Sequence, residues 1–230
     1  LSLVIPAYNE ENRLGKSLDK AREYFDPKNF DYEIIVVDDG STDNTIQVAS
    51  NAPANVRPVA QPENMGKGAA VRRGMLECKG EIRMFADADF STPITETDKL
   101  IASIHSGADV FIGSRGIDYG MIREHQPFYR EFMGKTFNKI VQLLVLKGIR
   151  DTQCGFKGFT AEAADIIFPK AQINGFGFDV EILYLARRAG LKIDEVPVEW
   201  YNDERSTVNP VKDSLRMLLD IIRVKRIHNS

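Results

Sequence analysis

Only two cysteines, Cys78 and Cys154, occur in 230 residues, and they form no C-x-x-C pair. Neither a disulfide scaffold nor a cysteine-based zinc site is expected, and both read as core or neutral residues in a reducing, cytosolic setting. Three isolated histidines, His105, His125 and His228, give no zinc-ligand spacing. No apolar run approaches the roughly 18 to 20 residues that span a bilayer, so any relation to a membrane is expected along its surface. An excess of positive charge is missing too: 30 Lys and Arg against 33 Asp and Glu leave a net charge of −3, which argues against general nucleic-acid binding. No G-x-G-x-x-G follows the first apolar run, which weakens a dinucleotide-oxidoreductase reading. Residues 61–68 are not a P-loop, because Gln61 stands where glycine is needed and Gly68 follows Lys67 where Ser or Thr is needed. The chain opens at Leu1 directly in an apolar run, so a longer product is expected.

What is present is an alternation of short apolar runs and helical patterns. Residues 1–6, 32–37, 56–60, 81–86 and 110–113 read as strands, each followed through residue 106 by a helical stretch. This order predicts an α/β fold with a mostly parallel sheet, helices on both faces and one sizeable core. In such sheets ligands bind outside the carboxyl ends of the strands. The strand tails carry Tyr8 and Glu10, Asp38 and Asp39, Gly66 and Lys67, Asp87 and Asp89, and Arg115. In Phe85-Ala86-Asp87-Ala88-Asp89-Phe90-Ser91-Thr92-Pro93, two carboxylates one residue apart in extended chain point the same way, with Thr92 and Pro93 expected to start a helix over 94–106. Like charges held together call for a cation or a proton between them. A hard ion, Mg²⁺ or Mn²⁺, completed by phosphate oxygens answers that need, whereas two solvated loop aspartates are the plain alternative. Glycines flanking Lys67 at a helix start suit an anion, and Ser41 or Thr42 is expected to cap the helix running to about Asn51. Asp43 is explained by a helix's first turn alone.

The second half reads differently. Residues 129–147 form a helical pattern with Arg130, Lys135 and Lys139 basic, and residues 151–157 a polar loop entering a short strand. Residues 180–189 read as a helix, with Asp179 either its N-cap or a site residue, and 191–200 as an edge strand despite Pro197. In the last segment, Lys212, Arg216, Arg223 and Arg226 fall on one quarter of a helix, with Val211, Leu215, Leu218 and Ile222 leaning to the opposite side. Such a helix can lie in a headgroup layer or pack its apolar stripe on the sheet.

Pro6-Ala7-Tyr8-Asn9-Glu10, Val37-Asp38-Asp39-Gly40-Ser41-Thr42-Asp43, Asn64-Met65-Gly66-Lys67-Gly68, Asp87-Ala88-Asp89 and Gly113-Ser114-Arg115 stand in an order that resembles the inverting, metal-dependent glycosyltransferases of the GT-A fold. Asp87-Ala88-Asp89-Phe90-Ser91-Thr92-Pro93 and residues 148–157 look most like the dolichyl-phosphate β-glucosyltransferases, relatives of the dolichyl-phosphate mannose synthases. The resemblance implies one Rossmann-like domain over 1–230: a nucleotide-sugar half at 1–115, an acceptor half at 116–210 and a basic amphipathic helix at 211–230. It implies that Pro6, Ala7, Tyr8, Glu10 and Asp38 meet the nucleoside, that Lys67, Asp87, Ala88 and Ser91 complete donor binding, and that Asp87 and Asp89 hold Mg²⁺ or Mn²⁺. The catalytic set is then Asp89, Arg115, Arg130, Asp179 and Arg205, with the arginines meeting donor and acceptor phosphates. One departure stands out: Arg205-Ser206-Thr207 replaces the family's Gly-Ser-Lys, so either Arg205 or Lys212 supplies the missing cation or the acceptor differs.

The expected reaction is transfer of glucose from UDP-glucose to a polyisoprenyl phosphate, with inversion, by a protein peripheral on the cytosolic face of the endoplasmic reticulum or plasma membrane. A lipid phosphate is already ionised, so no strong general base is needed. Three rivals remain open at this stage: a mannosyltransferase using GDP-mannose, an enzyme of the same fold with a soluble or polysaccharide acceptor and Asp179 as base, and a nucleotide-sugar binding protein without turnover.

Overall fold

The computed structural model describes residues 1–124, 128–202 and 210–228, without the side chains of 128–132, 135 and 210–215. Seven strands form a single sheet: β1 Ser2–Ala7, β2 Glu33–Asp38, β3 Val56–Ala60, β4 Ile82–Ala86, β5 Val110–Ser114, β6 Phe156–Thr160 and β7 Ile193–Pro197. Between and after them lie α1 Leu14–Phe25, α2 Thr45–Ser50, α3 Lys67–Glu77, α4 Thr97–His105, α5 Phe128–Leu144, α6 Ala161–Ile167, α7 Phe178–Arg188 and α8 Pro210–His228.

Strand residues alternate between two cores, which is why apolar side chains run almost unbroken along β1 and β2. Leu3 and Ile5 of β1, Ile34 and Val36 of β2 and Met84 of β4 face a core shared with Leu14, Leu18 and Phe25 of α1. Val4, Ile35, Val37 and Phe85 point the other way, onto Ala70, Val71 and Met75 of α3 and the α5 to α8 layer. The expected helix-covered sheet is therefore observed. Phe25, Phe85, Phe111, Phe156 and Phe159 are fully buried, each contributing about 1.5–3 kcal/mol of transfer free energy.

The strand order is β3-β2-β1-β4-β6-β5-β7, parallel throughout except for β6, which runs antiparallel to both neighbours. The chain winds outward from β1 to β2 and β3, then returns to place β4 on β1's other side. That reversal opens a crevice at the carboxyl ends of β1 and β4. As the pattern indicates, β7 is an edge strand, and Pro197 sits at its last pairing position.

Several local expectations are corrected. The chain after β4 is a tight turn, with Phe90 N–H donating to Asp87 O at 3.0 Å, rather than extended. Phe90 adopts φ +49°, a left-handed conformation that is costly for a bulky side chain. Residues 94–96 form one 3-10 turn before α4, and Thr92 provides no side-chain cap there. Helix α2 starts only at Thr45, whose N–H is accepted by Asp43 Oδ1 at 3.0 Å; Ser41 and Thr42 serve other bonds. Asp179 lies inside α7, and Gly177 is the N-cap residue. On α8 the buried side chains are Ile221 and Val224, while Leu219 and Ile222 remain 61% exposed beside the arginines. Of the expected apolar stripe, Leu218 packs against the core and Ile222 does not, so the split between an apolar and a basic face holds only in part on the described residues of this helix.

Candidate active site

Two turns at neighbouring strand ends are stitched together. Asn9, at φ +56° after β1, donates its N–H to Ser41 Oγ at 2.9 Å and accepts from Thr42 N–H at 2.9 Å. Glu10 N–H reaches Thr45 Oγ1 at 2.7 Å. Ser41, Thr42 and Thr45 thereby hold the β1 turn in place. Asp38 is buried and accepts from Ser41 N–H at 3.2 Å, so its carboxylate faces inward. Asp39 instead reaches the crevice wall. Its carboxylate accepts from Met65 N–H at 2.8 Å, Gly66 N–H at 2.9 Å and Gln61 Nε2 at 2.5 Å, fixing the loop before α3. Gly66 completes that loop at φ +101°, a conformation open chiefly to glycine.

This loop aims Lys67 into the crevice, with Nζ 2.5 Å from Asp87 Oδ1. Burial lowers the Lys67 ammonium's pKa, but Asp87, Asp179 and Asp89 outweigh it, so the net shift is upward and the group stays cationic. Asp87 itself fits only because residue 155 is glycine: a Cβ there would collide with its carboxylate. Asp89 lies at the far end of the turn, its Oδ1 accepting from Ser91 N–H at 2.8 Å. Burial and then Asp87 raise its pKa, against the pull of Ser91 and Arg13. Arg13 grips Glu10 at 2.5 and 2.6 Å and brings Nη1 to 4.0 Å from Asp89 Oδ2. Behind Lys67, buried Asp179 pairs with Lys157 at 2.5 Å. Charges thus alternate across the crevice: Lys157, Asp179, Lys67, Asp87 with Asp89, Arg13, Glu10.

A cavity of about 690 Å³ occupies the crevice, enough for a nucleotide-sized ligand. Of the residues singled out in the sequence, Pro6, Ala7, Tyr8, Glu10, Lys67, Asp87, Ala88 and Asp89 line it. Asp38 and Asp179 do not, and Ser91 faces a second cavity of about 970 Å³ that meets the first at Asp89. Arg115 stands apart, bound to Asp151 at 2.7 and 3.0 Å and 5.4 Å over the Trp200 ring. Arg205 and the side chains of Arg130 and Lys212 lie outside the described residues. Sequence reasoning misses Arg13 as a lining residue and Lys157 as a buried charge, and it gives Asp39, Asn64 and Arg216 no role beyond strand tail, motif and helix face, although all three line the cavity. The Glu10/Arg13 spacing of three was a readable signal for Arg13.

Among the described residues, no group of three or more His, Cys, Asp or Glu side chains forms a protein-only metal cage. Asp87 and Asp89 nonetheless present two mutually repelling oxygen donors on one wall, the donor set of a hard cation that keeps places for phosphate oxygens. Also among the described residues, no helix is long and apolar enough to cross a membrane.

The glycosyl transferase family 2 model matches residues 2–168. Over 98% of its length the chain is 37% identical to the dolichyl-phosphate β-glucosyltransferase of Dictyostelium discoideum, covering 73% of that protein. The human protein of the same name is 36% identical over 98% of the chain and 74% of its own length. In fold, the chain is similar to glucosyl-3-phosphoglycerate synthase of Mycobacterium tuberculosis, crystallised with Mn²⁺, UDP-glucose and phosphoglyceric acid. The TM-score is 0.67 at 20% identity, over 97% of this chain and 77% of that one. With a GT-A architecture, a carboxylate-lined crevice at the strand reversal and a family match over most of its length, the chain belongs to glycosyl transferase family 2.

Proposed function

We propose that this glycosyltransferase moves glucose from UDP-glucose to a polyisoprenyl phosphate with inversion at the anomeric carbon. The observation that carries the reading is the placement of Asp87 and Asp89 beside Lys67 at one end of the cavity, with Tyr8 and Glu10 also on its wall. The names of the full-length relatives support glucose as the sugar and dolichyl phosphate as the acceptor. Tyr8 offers a ring and Pro6 and Ala7 an apolar floor for the nucleoside.

Asp87 and Asp89 would hold a Mg²⁺ or Mn²⁺ ion, whose chemistry is to neutralise charge on the departing diphosphate. The residues do the rest. Lys67 adds fixed positive charge where the leaving group gains negative charge. Arg13 orients Glu10 and reduces the repulsion felt by Asp89. A phosphate oxygen of the acceptor attacks the anomeric carbon while the bond to the diphosphate oxygen breaks, and the nucleotide leaves with the electron pair. The ionised acceptor needs no proton removed, so Asp179, paired with Lys157 away from the cavity wall, acts as a positioning charge for Lys67 rather than as a base. Arg115, Arg130 and Arg205 are assigned to the phosphates, and Arg115, which stands off the cavity on Asp151, would have to leave that pair to reach them.

The protein is proposed to work peripherally on the cytosolic face of the endoplasmic reticulum or plasma membrane. The exposed Ile222 among arginines of α8 supports that setting. The test is a panel of radiolabelled sugar nucleotides incubated with polyprenyl phosphate in vesicles. UDP-glucose alone should yield a labelled lipid, in a divalent-ion-dependent way, and Asp89→Ala should abolish it. Equal transfer from GDP-mannose, or turnover unaffected by chelator, would refute the corresponding part.

A further inference from the structure

Three cations stand on the wall of the 690 Å³ cavity, and two are engaged: Arg13 by Glu10, Lys67 by Asp87. The third is Arg216, on α8. Its side chain is exposed, and among the described residues it has no hydrogen-bonding or ionic partner. Among the described side chains of α8 the nearest acid is Asp220, one turn on, and it feels the charge of Arg223 instead.

The fold holds α8 firmly against the crevice. Gly177 makes room for it, since a Cβ there would stand 2.5 Å from Asp220 Cβ. At the helix's far end His228 Nε2 lies 2.8 Å from Glu181 Oε1, and the buried Glu181 carboxylate accepts from the N–H groups of Gln172 and Ile173 at 2.9 and 2.8 Å. The next residue, Asn174, accepts from Gly68 N–H at 2.7 Å, at the base of Lys67's helix. Helix α8 and the Lys67 loop are thus anchored to the same segment, 172–174, from opposite sides. Met217, Leu219 and Asp220 join Arg216 on the cavity wall.

We propose that Arg216 binds a phosphate oxygen of the nucleotide diphosphate. The inference rests on the nucleotide-sugar reading above. A diphosphate entering beside Asp87 and Asp89 meets two like-charged carboxylates and a lysine already paired to one of them. A guanidinium with open donors on the same wall is the remaining fixed positive charge, and its planar fork suits phosphate. Arg216 also lies one helical turn beyond Lys212, on the same side of α8, so it supplies from within the helix the cation that the 205–207 sequence lacks.

The test is calorimetric titration of the intact chain with UDP and, separately, uridine, in the presence of Mn²⁺. Arg216→Ala and Arg216→Gln should weaken UDP about tenfold or more, the loss expected for one charge-assisted hydrogen bond. Both should leave uridine, which has no phosphate, within about twofold of wild type. Arg216→Lys should recover part of the UDP affinity, and Lys225→Ala, exposed on the same helix, should bind UDP as wild type does. Unchanged UDP affinity in the alanine and glutamine variants, or an equal loss for uridine, would overturn the proposal. So would a raised KM for the lipid phosphate with UDP affinity intact, which would move Arg216 to the acceptor. Wild-type protein that fails to bind UDP would instead refute the donor reading itself.

Discussion

Lys157 Nζ lies 2.5 Å from Asp179 Oδ1, and the two side chains are 0% and 4% exposed. The ammonium also donates to Cys154 O at 2.6 Å and stands 5.5 Å over the Phe85 ring. A buried ion pair of this kind contributes little over an apolar pair of the same shape, yet removing one partner strands the other charge. Lys157→Met should therefore cost about 3–5 kcal/mol in urea unfolding, and Lys157→Met with Asp179→Leu should recover most of it. If the single variant is as stable as wild type, the pair is not what holds β6 against α7.

Asp151 sets the acid limit of the fold. Burial alone would raise its pKa, but the Arg115 guanidinium, by charge and hydrogen bonds, holds it at about 2, below its ordinary 3.8. The folded state then binds fewer protons than the unfolded one between these values. The stabilisation, about 2 kcal/mol, is fully present above roughly pH 4 and lost as pH falls toward 2. Chemical denaturation of wild type and Asp151→Asn across pH 2–6 should show this slope in the former and its loss in the latter.

Gly155→Ala tests the geometry of the acid pair without touching either acid. The new methyl must displace the Asp87 carboxylate, and misplacement by about 1 Å at a reacting centre costs on the order of 100-fold in rate. We expect kcat to fall by about that factor and Mn²⁺ affinity, followed by paramagnetic resonance, to weaken as well. Wild-type turnover would mean that the position of Asp87 does not matter.

Leu143 of α5 is 85% exposed and Ile222 of α8 61% exposed. If these helices rest on a bilayer, Leu143→Asp with Ile222→Asp should reduce sedimentation with anionic vesicles by tenfold or more, since each leucine-sized side chain carries about 1.5–3 kcal/mol of transfer free energy. Thermal unfolding in solution should not change. Equal vesicle binding would place the membrane-facing surface elsewhere.

The parallel core of this fold was legible because β1, β2 and β4 send successive apolar residues to opposite faces, a pattern that fixes strand, burial and the position of the polar tails together. The direction of β6 was not, because five residues reading Phe-Lys-Gly-Phe-Thr carry no mark of which way their neighbours run. Lys157 was missed for the same reason: in a short strand a lysine looks solvated until its partner, 22 residues on, is brought beside it. Asp38 and Asp39 illustrate strand parity. Asp38 continues β2 and is turned inward, whereas Asp39 has left the strand and can reach the crevice. On α8 the doublets Leu218-Leu219 and Ile221-Ile222 permit two apolar stripes one residue apart. A helical wheel cannot choose between them, but the seat of Asp220 on Gly177 does.

The reversed course of β6 has a structural result that no parallel neighbour of β4 could produce. Because Phe156 pairs with Ala86, the beginning of β6 arrives where β4 finishes, and the loop leading into it is threaded past the acid pair from the opposite half of the chain. Changes in the length or bulk of residues 151–155 would thus be felt directly at Asp87 while leaving Tyr8, Glu10 and the β1 turn unmoved. On the proposed reading, substitutions in that loop would alter how the diphosphate is held without altering the wall assigned to the nucleoside.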